Sequence, residues 1–315
     1  MQLIFQLLSI LLLLHCSSWK VKSITPEQQV TTPGDYEVKF SIDSRQRIVE
    51  FHYPETAQNH THPPLVILLH GGGGGKVKRF KETTGMQKLA DKKGFILAFP
   101  YGNGVFSRRL LTWNAGNCCG YAKKNKIDDV KFINAWIEYA KDKLGVDKRR
   151  IYVAGISNGG MMAFHIACRL SDKVAAVASI SGAFNEDKTT CKPQQPVSIL
   201  SFRGRLDTHI KYNGGASEGV DKGRIDKSAQ HTLNFWQKAN RCSTAPPKIS
   251  STKYVKQTSY QNCKQQNEVT LYSLARGTHS WPGGKRSAFF LDTPTQDINA
   301  SQVTWEFFSK HPKKF

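Results

Sequence analysis

Ser157 stands in Gly155-Ile156-Ser157-Asn158-Gly159, after the apolar run Ile151-Tyr152-Val153-Ala154 and before Gly160-Met161-Met162-Ala163-Phe164-His165-Ile166-Ala167. A β-type run, a G-x-S-x-G turn and a helical pattern are the setting in which a serine hydroxyl is lifted above a sheet. Small residues two before and two after the serine let strand and helix approach closely enough for that turn. The chemistry open to such a hydroxyl is attack on an acyl carbonyl. It needs three further parts: a base, an acid to orient the base, and donors for the oxyanion.

In the chain order serine, acid, histidine, His279 is the candidate base. It lies in the loop Gly277-Thr278-His279-Ser280-Trp281-Pro282-Gly283, directly after a strand expected over 269–274. His231 falls in an expected helix, His311 in the tail, and His209 lies nearer the serine. The acid should follow the strand expected over 197–202, and Asp207 is the candidate, holding the His279 tautomer and stabilising the imidazolium. Asp187 is the rival, after a different strand, and a plain turn aspartate is the alternative reading. His70-Gly71-Gly72-Gly73-Gly74-Gly75 follows an apolar strand ending at Leu69. Glycines there let N–H groups face a carbonyl oxygen. Gly72 and Asn158 N–H are the expected oxyanion donors, with Gly73 in place of Gly72 as the alternative. The run lacks the Gly-Lys-Ser/Thr ending of a nucleotide loop. No cofactor is expected, and no metal: His60 and His62 sit alone in a polar loop.

These residues need a platform. Stretches 37–42 and 47–53 alternate apolar and polar residues around Asp43-Ser44-Arg45-Gln46 and predict an antiparallel hairpin at a sheet edge. Continuous apolar runs at 65–69 and 95–99 predict buried parallel strands. Further strands are expected at 151–154, 174–180, 197–202 and 269–274. Helical patterns cover 82–93, 129–144, 227–239 and 301–309. This alternation predicts an α/β fold: a mostly parallel central sheet, helices on both faces, and an N-terminal antiparallel hairpin. The polar stretch 242–263, with Pro246-Pro247, reads as an insertion.

The chain has 315 residues, 39 % hydrophobic, and carries 45 Lys and Arg against 24 Asp and Glu, a net charge of +21. That composition excludes intrinsic disorder and gives a surface that attracts anionic polymers. The lysines are scattered and no nucleic-acid motif accompanies them, so a plain solvated basic surface is preferred and no specific nucleic-acid partner is expected. Residues 3–14 are apolar but too short to span a bilayer. They read as an export signal over 1–22, followed by a linker over 23–35 and one domain over 36–315. Secreted, extracellular or periplasmic location follows, with no transmembrane segment after removal of the signal. Lipid attachment at Cys16 is the lesser alternative, since His15 fits a lipoprotein signal badly.

Beyond Cys16 there are six cysteines, an even number that suits disulfides in an exported protein and allows fifteen pairings. Cys242 and Cys263 bracket the polar insertion and are the expected pair. Cys118 and Cys119 are adjacent, and a strained ring argues against their bonding each other. Buried free thiols are the alternative for several of the six.

The ordered motifs resemble those of secreted polyhydroxybutyrate depolymerase-like and feruloyl esterase-like α/β hydrolases. The matching stretches are Leu69-His70-Gly71, Phe99-Pro100-Tyr101-Gly102, Trp113-Asn114-Ala115-Gly116 with Cys118-Cys119, Asp128-Asp129-Val130-Lys131-Phe132-Ile133, Gly155 to Met162, Arg203-Gly204 with Asp207, and Gly277 to Gly283. They span about residues 36–310. The resemblance implies the α/β-hydrolase fold, the same Ser157, Asp207 and His279 roles, and the Cys242–Cys263 disulfide. It implies hydrolysis of carboxylic esters through an acyl-enzyme, on hydroxyalkanoate polyesters or feruloylated polysaccharide. Arg203-Gly204-Arg205 stands where relatives often carry His-Gly, a departure that bears on substrate. Trp281 and Trp113 are candidates to line the substrate cleft, because aromatic faces suit an aryl group or sugar; core packing is the alternative for both. An acyltransferase or peptidase with the same triad, or a non-catalytic basic binding protein, are the other function classes.

Overall fold

A computed structural model describes residues 21–106, 108–216, 223–286 and 292–314. Cys16 and nearly all of the expected export signal lie outside the described residues. The strands are β1 Lys22–Ile24, β2 Gly34–Ile42, β3 Arg45–Tyr53, β4 Leu65–Leu69, β5 Ile96–Pro100, β6 Ile151–Ile156, β7 Ala176–Ile180, β8 Ser198–Gly204, β9 Gly215–Ala216, β10 Ile225–Asp226, β11 Lys248–Ser251, β12 Val255–Tyr260 and β13 Val269–Leu274. The helices are α1 Val77–Thr84, α2 Met86–Lys93, α3 Gly120–Lys124, α4 Asp129–Lys143, α5 Asn158–Arg169, α6 Ala229–Ala239 and α7 Ala300–Lys310.

Eleven of these strands form one sheet, ordered β1-β2-β3-β5-β4-β6-β7-β8-β13-β12-β11. From β5 across to β13 every neighbouring pair is parallel; β3 meets β5 antiparallel, and β12 and β11 close the far edge antiparallel. The reason is visible in β4. All five residues are buried, and side chains alternate between faces. Leu65, Ile67 and Leu69 therefore enter one core cluster, Val66 and Leu68 the other. The first is covered by α4, α5 and α6 through Trp136, Phe164 and Trp236. The second is covered by α2 and α7 through Met86, Trp305 and Phe308. Each such large side chain contributes about 1.5–3 kcal/mol on leaving water. A sheet covered on both faces explains why its inner strands read as apolar runs.

Four local expectations are corrected. The helix expected over 82–93 is two helices, because α1 begins at Val77 and Gly85 (φ 66°) ends it in a left-handed cap. The hairpin turn is tighter than four residues: Asp43 and Ser44, at φ 50° and 58°, make the two-residue turn whose twist suits paired strands. The last residue of the expected signal, Lys22, and part of the expected linker are sheet, with Lys22–Ile24 pairing parallel to β2, and Val30 is buried. The insertion between Cys242 and Cys263 contributes β11 and β12, a hairpin extending the sheet beyond β13.

The chain runs from β4 to β5 on one side and returns to place β6 on the other. At that reversal the loops leaving β4 and β6 part in opposite directions and open a crevice at the strands' carboxyl ends. The glycine loop and Ser157 leave from those two ends.

Candidate active site

Ser157 closes β6 and precedes α5 with φ 56° and ψ −123°, a conformation that L-residues rarely adopt. The surroundings enforce it. A Cβ on Gly155 would collide with the Gly159 carbonyl, and one on Gly159 with the carbonyls of Leu69 and His70. Strand, turn and helix thus interlock with β4. The Ser157 N–H donates to Ile180 O on β7 at 2.8 Å.

His279 Nε2 lies 2.8 Å from Ser157 Oγ. On its other side, His279 Nδ1 lies 2.9 Å from Asp207 Oδ2 and 3.1 Å from Oδ1. The structure thus brings together three residues from the loops after β6, β8 and β13. The Asp207 side chain is buried, and burial would raise its pKa. The hydrogen bond and charge of His279, the Ile210 N–H and the Arg203 guanidinium outweigh burial and hold it below the ordinary aspartate value. Asp207 Oδ1 also accepts from His209 N (3.0 Å) and Ile210 N (2.9 Å), which fixes the carboxylate from its own loop. Asp187, the rival acid, is an exposed turn residue capping Thr189. His231 bonds Glu186 O on α6's side of the fold, and His311 faces Glu268.

The glycine loop passes against the serine turn. A Cβ on Gly71 would meet Ser157 Cβ at 3.4 Å, and one on Gly72 would meet Asn158 Cβ at 3.8 Å. Asn158 is the first residue of α5, where backbone N–H groups have no helical acceptor. Gly72 and Asn158 are therefore neighbours. Behind them, His70 Nδ1 lies 2.8 Å from Gly71 O, and Gly102 N–H donates to His70 Nε2 at 3.0 Å. Those two contacts define the Nδ1–H tautomer. Burial lowers the His70 pKa to about 4, so the ring is neutral at ordinary pH.

The two tryptophans part company. Trp113 is fully buried and stands behind the glycine loop, its indole N–H donating to His70 O at 2.9 Å and its ring 4.9 Å from that of His70. The expectation that it lines the cleft is corrected: it is a core strut. Trp281 has one wall on the cleft although almost wholly buried, with its N–H on Ser301 Oγ at 2.9 Å and Phe80 edge-on at 6.2 Å. The cleft has a volume of about 310 Å³. Val77, Phe80, Phe99 and Trp281 give it an apolar wall beside Ser157 and His279.

Three side chains support the site in roles that the sequence did not reveal. Asp292 accepts the His279 backbone N–H at 2.8 Å, so the histidine loop is tied to a segment fifteen residues beyond Gly277. Arg203 is a buried cation whose guanidinium donates to Lys211 O at 2.8 Å and binds the acid loop to β8. Asn158 uses its side chain to hold Trp113. Arg203 was noted in the sequence as a departure and Asn158 for its backbone N–H, but neither for the side-chain role found here.

Disulfides join Cys168 to Cys191 and Cys242 to Cys263. Cys118 and Cys119 are also joined, against the expectation, across a cis peptide bond that brings their Cα atoms to 3.1 Å. Among the described residues, the donor grouping nearest to a metal cradle is Cys168, Glu186 and Cys191, and both sulfurs are spent in the disulfide. No described helix is long and apolar enough to cross a membrane.

Residues 64–275 match the family model of the alpha/beta hydrolase fold. The chain is 34 % identical over 253 residues to feruloyl esterase B of Piromyces equi, covering 78 % of this chain and 45 % of that protein. It is 28 % identical over 194 residues to feruloyl esterase D of Neurospora crassa, covering 61 % and 58 %. The chain thus spans about half the length of these curated relatives. In three dimensions it overlays acetyl xylan esterase from Aspergillus awamori with a TM-score of 0.56 at 15 % identity, over 87 % of this chain and 98 % of that one, which is a likeness of fold. Sheet order, serine turn and family match agree: the chain belongs to the α/β hydrolase family.

Proposed function

We propose that this chain is an exported carboxylic ester hydrolase acting through Ser157, His279 and Asp207. The observation that carries the proposal is the unbroken hydrogen-bond chain from Ser157 Oγ through His279 to the buried Asp207 carboxylate. His279 Nε2 takes the serine proton as Oγ bonds to the ester carbonyl carbon. The oxyanion forms facing the Gly72 and Asn158 N–H groups, and Asp207 stabilises the imidazolium. His279 then returns the proton to the departing alcohol, leaving an acyl-serine. Water, deprotonated by His279, attacks the acyl carbon and releases acid and free enzyme.

The names of the relatives support an aryl ester on plant polysaccharide over a hydroxyalkanoate polyester. The apolar wall of Phe80, Phe99 and Trp281 beside the nucleophile suits an aromatic acyl group. The three disulfides fit an oxidising compartment.

Labelling tests the nucleophile. A fluorophosphonate probe should modify the native protein and leave Ser157→Ala unmodified; labelling of both removes Ser157 from the scheme. Comparing methyl ferulate with hydroxybutyrate oligomers then chooses the substrate class, and faster turnover of the oligomers would reverse the choice made here.

A further inference from the structure

The cleft carries an unusual charge. Among the described residues its lining includes Lys76, Arg79 and Lys285 but a single carboxylate, Asp292, which already accepts the His279 backbone N–H. Among the described residues none of the three cations forms an ion pair, while Lys81, further along α1, is shared between Asp35 and Glu50. Lys76, Arg79, Phe80 and Thr83 recur at helical spacing and form the face of α1 that fronts the cleft. Lys285 is brought to the same rim because its backbone N–H donates to Thr83 O at 2.9 Å. All three cationic side chains belong to exposed residues. The N-terminus of α1 lies here too, and its cap residue, Lys76, supplies no side-chain acceptor for the free N–H groups.

Three cations and a positive helix end beside an apolar wall form a site with two demands: an apolar acyl or alcohol body, and a negative group next to it. A neutral ester would leave the cations hydrated and unused. Resting on the hydrolase reading above, we infer that this cleft selects esters whose substrate bears a carboxylate close to the scissile bond, as an ester on an acidic sugar does. The anionic group attracts and orients the ester, and Ser157 attacks the carbonyl as already described. Lys76, Arg79 and Lys285 are specificity residues and take no part in bond making.

The carboxylate could sit on the acyl or the alcohol side, and matched ester pairs separate the two. For the acyl side, the p-nitrophenyl half-ester of glutaric acid is compared with p-nitrophenyl butyrate. For the alcohol side, 4-acetoxybenzoate is compared with methyl 4-acetoxybenzoate. Each kcat/KM is divided by that ester's hydroxide-catalysed rate, and the anionic-to-neutral ratio is read. We expect a ratio of roughly ten in at least one pair at low salt, falling several-fold at about 0.5 M salt as screening sets in. The triple variant Lys76→Gln, Arg79→Gln, Lys285→Gln should bring the ratio towards one, and Arg79→Glu should lower it further. Because each ratio is internal to one protein sample, partial misfolding of a variant does not mimic the effect. A ratio of one or less in both pairs, or a ratio that the triple variant leaves intact, overturns the inference while sparing the hydrolase. Absence of turnover on all four esters strikes the hydrolase reading itself.

Discussion

Asn158 holds Trp113 by both backbone groups: its Oδ1 accepts the Trp113 N–H at 2.7 Å and its Nδ2 donates to Trp113 O at 3.0 Å. The first residue of α5 is thereby fastened to the strut behind the glycine loop, and all the groups involved are buried. Asn158→Ala would strand two buried backbone groups of Trp113. The expected loss is about 2–4 kcal/mol of folding stability, measured as a shift in the urea midpoint with an unchanged m-value. A shift of under about 0.5 kcal/mol would show that water or relaxation replaces the clamp.

Asp207→Asn keeps the shape of the acid but presents an amide to His279 Nδ1. The tautomer with Nδ1–H and a basic Nε2 is no longer favoured, and kcat should fall on the order of 10⁴-fold, as in other triads. The caps from His209 N and Ile210 N can still reach the amide oxygen, so the fold should persist. Steady-state kinetics with circular dichroism as a folding control checks this. A loss below about tenfold would mean that another group orients His279.

The strained backbone of Ser157 makes an opposed pair of predictions. At an ordinary position glycine is less stable than alanine by about 0.5–1 kcal/mol. At φ 56° and ψ −123° the order should invert. Ser157→Gly is expected to be inactive yet more stable than Ser157→Ala by about 1 kcal/mol, read as a higher melting temperature in calorimetry. Equal melting temperatures would show that the turn relaxes when the hydroxyl is gone.

Glu268 supplies a pH test away from the site. Its burial would raise its pKa, but hydrogen bonds from His311, Ser259 and Thr270 and the charge of His311 bring it down to about 2. The folded value thus lies below the unfolded one. The stabilisation is complete above the unfolded glutamate pKa, near about 4.3, and is lost as pH falls from there towards 2. Wild-type stability should therefore decline more steeply across that window than that of Glu268→Gln. Parallel curves from denaturant titrations at several pH values would refute the assignment.

The sites legible from sequence were those fixed by chain position. Ser157, Asp207 and His279 each follow an apolar run, and a sheet strand of that kind delivers its next loop to one edge. That reasoning needs no knowledge of packing, and the three side chains do lie within hydrogen-bond reach of one another. Trp113 was misread because a loop tryptophan has no periodicity to say which way it faces; only its bonds to His70 O and Asn158 decide. Lys22–Ile24 and the hairpin 248–260 were unreadable as strands because they are short, polar edge strands whose partners, β2 and β13, come from elsewhere in the chain. Gly85 was lost inside a helical pattern because the residues on both sides keep helical composition. The Cys118–Cys119 bond was dismissed because a ring closed between adjacent cysteines is strained, yet the structure joins the two.

The steric lock between Gly159 and the carbonyls of Leu69 and His70 has a corollary for how such a protein diversifies. Reactive groups sit where almost no atom can be added, so drift there is barred. The side chains of Lys76, Arg79 and Lys285 at the cleft rim are exposed and bear no such restriction. New substrates can be acquired by repainting that outer margin, one surface side chain at a time, while the machinery beneath stays untouched.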